Sequence, residues 1–399
     1  MSTILRLAGA SLWSRRGAVA LTVLSVATSF ALLVAVERLR ETTRSSFENT
    51  ISGTDLLVGA RGSGVQLLLY SVFRIGEPVQ EMSWESYEQI TKHPEVKWTV
   101  PFALGDSVQG FRVLGTSESY FEHYRYGESR ELEFLTGSRF AGEHQAVLGS
   151  DVAQALGWTI GKHFPIQHGI AHDAHSHDHA EFEVVGILAP TGTPVDRTVH
   201  VPIDSLGEVH DHEHGIESVS SALIGLRSKI GLLRMRAWIN GYASEPLMAV
   251  MPARAFQQLW STVSSAESAL RVIGILVSLA GLIALAATML STTQERRREM
   301  ALLRSVGASP VHVAVLIVGE AMLIAAASAG FALLGVFVIG LLSGESLAVN
   351  FGLRLSSLPI QTGELPWVFA FLVTAALVSL VPALVSYRRS LSDGLMVQG

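Results

Sequence analysis

The chain has 399 residues, 49% of them hydrophobic and only 16% charged, with a formal net charge of −6 and no cysteine. Soluble domains carry about 25% charged residues, so the shortfall points to a membrane protein. The lack of cysteine excludes disulfides, thiol catalysis and Cys-based zinc sites, and the acidic balance without a long basic run argues against nucleic acid as a partner.

In chain order, the N-terminal segment 1–16 carries Arg6, Arg15 and Arg16 and leads into a first apolar stretch at 17–37. A membrane-spanning helix needs roughly 20 mostly apolar residues, and this stretch supplies them. A cleaved signal peptide is the competing reading. Its apolar core runs about 7–15 residues and ends at a small-residue cleavage site, whereas here Glu37-Arg38-Leu39-Arg40 follows, which favours an uncleaved anchor.

Residues 38–268 read as a large mixed α/β domain, long enough to bury its own core. Polar helix-forming stretches at 40–49 and 253–271 extend the flanking spans as helices. Between them, 146–149, 182–188 and 198–202 read as strands, 151–156 as a short helix stopped by Gly157, and 191–194 as a turn. The segment Gly157-Trp158-Thr159-Ile160-Gly161-Lys162 is not a phosphate loop: three residues rather than four separate its glycines, and His163 follows the lysine.

Two histidine clusters interrupt this domain. His168, His172, His175, His177 and His179 are interleaved with Asp173 and Asp178, and His210, His212 and His214 with Asp211 and Glu213. Neutral imidazole with carboxylate nearby suits zinc, copper or nickel, and His-x-His spacing in an extended segment puts rings on one side. The eight histidines are therefore candidate metal ligands, with zinc the candidate ion. A solvated His-rich loop and a pH-sensing loop are the alternatives. His93, His123, His144, His163, His200 and His312 stand alone and read as surface or packed residues.

The second span is 269–292, with Arg271 at its edge, and the third is 311–342, holding one acid, Glu320. An acid in lipid is costly unless it faces a partner, so Glu320 reads as packed inside the bundle, at a dimer interface or near the cytoplasmic boundary. Gly330 and Gly335 in this span are candidates for close helix contact. A short loop, 343–365, precedes the fourth span at 366–387, and 388–399 is the tail. Arginines flank the first span, fill the loop 293–310 and follow the fourth span, so by the positive-inside rule both termini and that loop face the cytoplasm. Arg38, Arg40 and Arg44 lie on the other side and oppose the rule, which long translocated domains override.

The loop 293–310 contains Arg296, Glu299, Leu303, Arg304, Gly307 and Ala308, with Met300 and Leu303 at helical spacing opposite a charged face. Such an amphipathic helix suits docking into a partner's groove, the alternative being a membrane-surface anchor. These residues resemble the Arg-rich segment after the second span in the MacB/FtsX/LolC superfamily of ABC permeases. The four-span order resembles it too, as do Val147 to Lys162, Phe182 to Leu188, and the ending from Val381 to Leu395.

The resemblance implies an α+β membrane protein with four transmembrane helices and a large mixed α/β periplasmic domain between helices 1 and 2. It further implies an FtsX-like permease region over 269–392. It implies a permease in the bacterial inner membrane without an ATPase site of its own. A separate ABC ATPase would use ATP and bind Glu295, Arg296, Glu299, Leu303, Arg304 and Gly307. A second permease chain and a periplasmic partner protein are further expectations, with membrane lipid as surroundings. The His-rich insertions are similar in composition to permeases of zinc-linked systems. A regulator of a periplasmic enzyme without transport, or a membrane-anchored metal sensor, would share this topology.

Overall fold

The computed structural model describes residues 13, 15–48, 50–168, 176–209, 216–295, 309–351 and 360–395. They fall into two compact units by chain, one from 1–42, 264–346 and 355–399, the other from 43–263 and 347–354.

The mixed α/β unit is built on one large sheet. In chain order its strands are β1 (Leu56–Ala60), β2 (Met82–Ser83), β3 (Val96–Val108), β4 (Phe111–Thr116), β5 (Arg125–Tyr126), β6 (Arg130–Glu131) and β7 (Phe134–Gly137). Then come β8 (Gln145–Leu148), β9 (His163–His168), β10 (Ser176–Leu188), β11 (Thr198–Pro202), β12 (Ser218–Val219), β13 (Ser221–Leu226) and β14 (Leu247–Val250). Among the described residues ten strands form a sheet in the order β14-β1-β13-β3-β4-β11-β8-β10-β7, with β9 pairing β10 and β3. The pairs β12-β2 and β5-β6 stand apart. Most neighbours are antiparallel, but β10 runs parallel to β8 and β11 parallel to β4. Each parallel pair needs a crossover, and the chain supplies helices and long connections for it.

The order strand, helix, strand, insertion, strand, turn, strand appears over 145–202. The helix Ser150–Leu156 ends at Gly157, whose φ of 65° is the left-handed cap that favours glycine. The turn before β11 is fixed by the buried Asp196 carboxylate, which accepts hydrogen bonds from the backbone amides of Thr191 and Gly192 and from the Thr191 hydroxyl. β11 runs from Thr198 to Pro202, buried throughout. That full burial explains why its residues do not alternate between apolar and polar.

Apolar side chains from both faces of the sheet form the core. One cluster joins Leu57, Val100, Phe102, Tyr120, Tyr124 and Phe140; another joins Leu56, Val58, Ile90, Ile224 and Met235; a third joins Val113, Phe164, Phe182 and Val199. His200 of β11 is fully buried among them. Its Nδ1 lies 3.2 Å from the Val147 carbonyl oxygen and its ring packs 5.1 Å from that of Tyr120. Burial, reinforced by the nearby Arg74 cation, pushes its pKa down to about 3, so the ring is neutral.

Among the described residues four long helices each contain a stretch apolar and long enough to cross a membrane: Arg16–Glu48, Pro252–Glu295, Pro310–Phe351 and Leu365–Leu395, here αA, αB, αC and αD; all but 43–48, 252–263 and 347–351 of them belong to the helical unit. The polar extensions at 40–48 and 253–268 are continuous with their spans, and αC continues past 342 into the segment expected to be loop.

Only 28–33% of each apolar window is buried inside the protein. The remaining faces present side chains such as Leu21, Leu24, Phe331 and Phe369, each more than 60% exposed. Continuous apolar surface of this extent needs lipid or a partner helix over it.

Inside the bundle, Phe30 of αA stacks on Phe371 of αD at 4.2 Å, and Ala325, Ser328, Ala329 and Ala332 give αC a small-residue face. The close approach between αA and αB is made by Gly274 and Gly281. A Cβ on Gly281 would sit 2.8 Å from Ser29, and one on Gly274 3.1 Å from Leu33. The Ser278 hydroxyl between them donates to the Ser29 carbonyl at 3.2 Å. A Cβ on Gly330 or Gly335 would meet nothing within 4 Å among the described residues, so neither glycine makes a close contact inside this chain's bundle.

Candidate functional site

The histidine clusters and the Arg-rich loop are only partly placed. His172, His175, His210, His212 and His214 lie outside the described residues, as do Arg296, Glu299, Leu303, Arg304 and Gly307. His168 is the last residue of β9, and His177 and His179 fall in the first half of β10. Gln167 pairs with Ser176 across these two antiparallel strands, so the flanks of the first histidine insertion are a hairpin rather than the loop its composition suggests. Among the described residues no group of three His, Asp or Glu side chains is gathered in a way that would hold a metal ion. Glu295 is the final residue of αB.

What the structure does assemble is a charged cluster within the helical unit. The Arg38 guanidinium on αA meets the Glu364 carboxylate in a two-pronged pair, Nε to Oε1 at 2.6 Å and Nη2 to Oε2 at 2.9 Å. Both side chains are nearly inaccessible, at 3% and 2% exposure. The planar fork of arginine matches a carboxylate in this geometry, and burial removes the water that would screen it.

Glu364 is held in turn by its own turn. It closes the 3-10 segment Thr362–Glu364 ahead of αD, and its Oε2 accepts from the Gln361 amide at 3.2 Å in a reciprocal cap. The carboxylate is thus placed by backbone as well as by its partner.

Beside this pair, Glu37 accepts from Arg271 of αB at 2.5 Å and from Arg40 at 3.3 Å, and Arg40 also reaches Glu267 of αB at 3.2 Å. The Arg271 guanidinium lies 5.8 Å from the Trp367 ring of αD. Three arginines therefore meet three carboxylates, and the six charges cancel. The cluster ties αA to αB and to the turn that opens αD. Glu320, the acid inside the third span, is also buried within this unit at 6% exposure.

The sequence contained half of this signal. Arg38 and Arg40 stood out against the charge rule, and Glu267 and Arg271 are one helical turn apart. The partner across the longest gap, Glu364, is 326 residues from Arg38, and no local pattern connects them.

A sheet domain with parallel crossovers, on a chain with four membrane-length helices among the described residues, fits a multi-pass membrane protein. A family profile described as MacB-like periplasmic core domain matches residues 19–231, and one described as FtsX-like permease C-terminal matches residues 271–392. The chain belongs to the family of MacB-like periplasmic core domain proteins, within the MacB/FtsX/LolC-type permease superfamily.

Among the solved structures similar over part of the chain are two periplasmic or extracellular domains. The periplasmic region of MacB from Actinobacillus actinomycetemcomitans is 13% identical, covering 53% of this chain and 94% of that one, with a TM-score of 0.37. The extracellular domain of the noncanonic ABC-type transporter YknZ from Gram-positive bacteria is 15% identical, covering 43% and 89%, with a TM-score of 0.32. No curated protein sequence matches this chain.

Proposed function

We propose that this chain is the permease subunit of an ABC system that converts ATP hydrolysis on a separate ATPase into movement of its periplasmic domain. The observation that carries the reading is the pairing, on one chain, of a MacB-like periplasmic core domain with an FtsX-like permease region. The charged cluster supports it: a helix bundle that transmits motion needs helices fixed to one another, and αA, αB and the start of αD are pinned at Arg38–Glu364 and at Glu37–Arg40–Arg271–Glu267.

In this reading the protein sits in the bacterial inner membrane with both termini in the cytoplasm and the mixed domain in the periplasm. The Arg-rich segment with Glu295, Arg296, Glu299, Leu303, Arg304 and Gly307 docks the ATPase. Two permease chains work together, and the chain itself performs no catalysis. The His clusters are the metal-facing part of the proposal, with zinc as the ion.

The test is ATP hydrolysis by the partner ATPase, reconstituted with the chain in lipid. The Glu299→Ala, Arg304→Ala double variant is expected to insert normally and to lose association with the ATPase. Full association and unchanged hydrolysis would remove the docking role. For the metal, zinc titration of the full chain is compared with a variant in which all eight clustered histidines are replaced. Equal binding by the two would remove zinc from the account.

A further inference from the structure

Within the mixed α/β unit, a cavity of about 850 Å³ opens between edge strand β14, the helix Leu232–Asn240 and the first turns of αB. Three arginines converge on it from three separate elements: Arg61 just after β1, Arg236 on the short helix, and Arg254 on αB. Among the described residues no aspartate or glutamate lines it.

In a chain with 35 acids against 29 bases, a concave surface lined by three arginines and by no acid among the described residues is unusual. Like charges brought together repel, and a low-dielectric wall strengthens that repulsion. Arg61 is positioned by protein carbonyls: Nη2 donates to the Asn240 carbonyl oxygen, and Nε reaches that of Leu247 at 3.4 Å. Carbonyls orient the group without neutralising it. Arg236 keeps a buried Nε–H that has no acceptor among the described residues. A buried donor left unpaired costs about 1–3 kcal/mol, and the natural acceptor for a guanidinium fork is an oxyanion.

The cavity is larger than one inorganic anion requires. Its size falls in the range of sites for small organic molecules, roughly 300–1,000 Å³, and Leu247, Val250 and Met251 give it an apolar wall. We infer that this cavity is a binding site for an organic oxyanion, a phosphate or carboxylate group carried on a partly apolar body, held by Arg61, Arg236 and Arg254. The inference does not rest on ATPase coupling, since a chain that failed to dock an ATPase would still carry the cavity.

The experiment is calorimetric titration of the full chain in neutral detergent with two probes, inorganic phosphate and a short-chain phosphatidate that stays monomeric. A short-chain phosphatidylcholine serves as the zwitterionic control. Arg254→Gln, at an exposed position, and Arg236→Gln are each expected to weaken phosphatidate binding by about tenfold or more, as loss of a charge-assisted pair does. Arg234→Gln, on the same helix but paired with Glu95 outside the cavity, is expected to bind like the parent. Phosphatidate binding tighter than phosphate and dependent on Arg254 and Arg236 supports the site and assigns an amphiphilic source. Arg-dependent phosphate binding of equal strength supports the oxyanion site and assigns a free anion. No saturable binding of either probe, or binding that both variants leave intact, overturns it.

Discussion

The chain uses arginine in two opposite ways. In the helical unit Arg38, Arg40 and Arg271 each lie on a carboxylate, and the cluster is neutral. In the mixed unit Arg61, Arg236 and Arg254 share a cavity that no carboxylate among the described residues lines. The first arrangement pairs its charges and joins helices; the second gathers cations without a carboxylate among the described lining residues. A cation buried inside an apolar bundle needs a protein counter-charge, because hydrocarbon offers it none, whereas a cation in a water-accessible cavity stays hydrated.

The largest expected effect breaks the first arrangement. Arg38→Ala leaves Glu364 buried without its cation and is expected to cost about 3–5 kcal/mol, read as a large loss in the unfolding temperature of the detergent-solubilised chain. Arg38→Met with Glu364→Leu removes both charges and is expected to recover most of that loss. If the single and double variants are equally damaged, the pair is not what joins the helices.

Next in size is the αA–αB contact. Gly281→Leu is expected to cost about 1–3 kcal/mol through overpacking against Ser29, while Gly330→Ala is expected to be near neutral. Equal effects at the two glycines would misplace the packed face.

The pH response belongs to the mixed unit. Because the folded pKa of His200 is depressed to about 3 from the model-peptide value of 6.5, its contribution is complete above that value and is lost as pH falls below it. At about 1.4 kcal/mol per pH unit, the domain is expected to lose about 2 kcal/mol between neutrality and about pH 5. His200→Phe is expected to flatten that slope, measured by denaturant unfolding at several pH values. An unchanged slope would show that His200 does not carry it.

The smallest effect concerns the arginine-lined cavity. Arg254→Gln without ligand is expected to change stability by no more than about 0.5 kcal/mol, because it breaks no ion pair found among the described residues. A loss of several kcal/mol would mean that the cavity arginines are structural and would erase the contrast between the two units.

Much of the architecture is visible in local pattern. The four spans follow from apolar length, and the strand and helix order over 145–202 follows from turn residues and from Gly157 as a left-handed cap. Long-range partnership is not visible that way. Nothing near Arg38 announces Glu364, and nothing near Arg236 announces Arg61 and Arg254, since each grouping exists only after distant segments fold together. The glycines show the same limit: sequence marks small residues, but only packing reveals that Gly274 and Gly281, not Gly330 and Gly335, sit at a crossing. The eight clustered histidines and the Arg-rich loop were conspicuous because composition and charge are local properties, and most of them fall outside the described residues.

The proposed passage of ATP-driven motion through this chain to its mixed α/β domain can be followed as a distance. The absence of cysteine allows spin labels at two introduced sites, Ile230→Cys in the mixed unit and Leu342→Cys on αC, both highly exposed at 87% and 80%. Their separation would be measured by pulsed electron resonance in lipid with the partner ATPase. The distance distribution is expected to shift when ATP is trapped, to return on release, and to stay fixed in the Glu299→Ala, Arg304→Ala background. A distribution indifferent to ATP, or one that shifts equally in that background, would contradict the proposal.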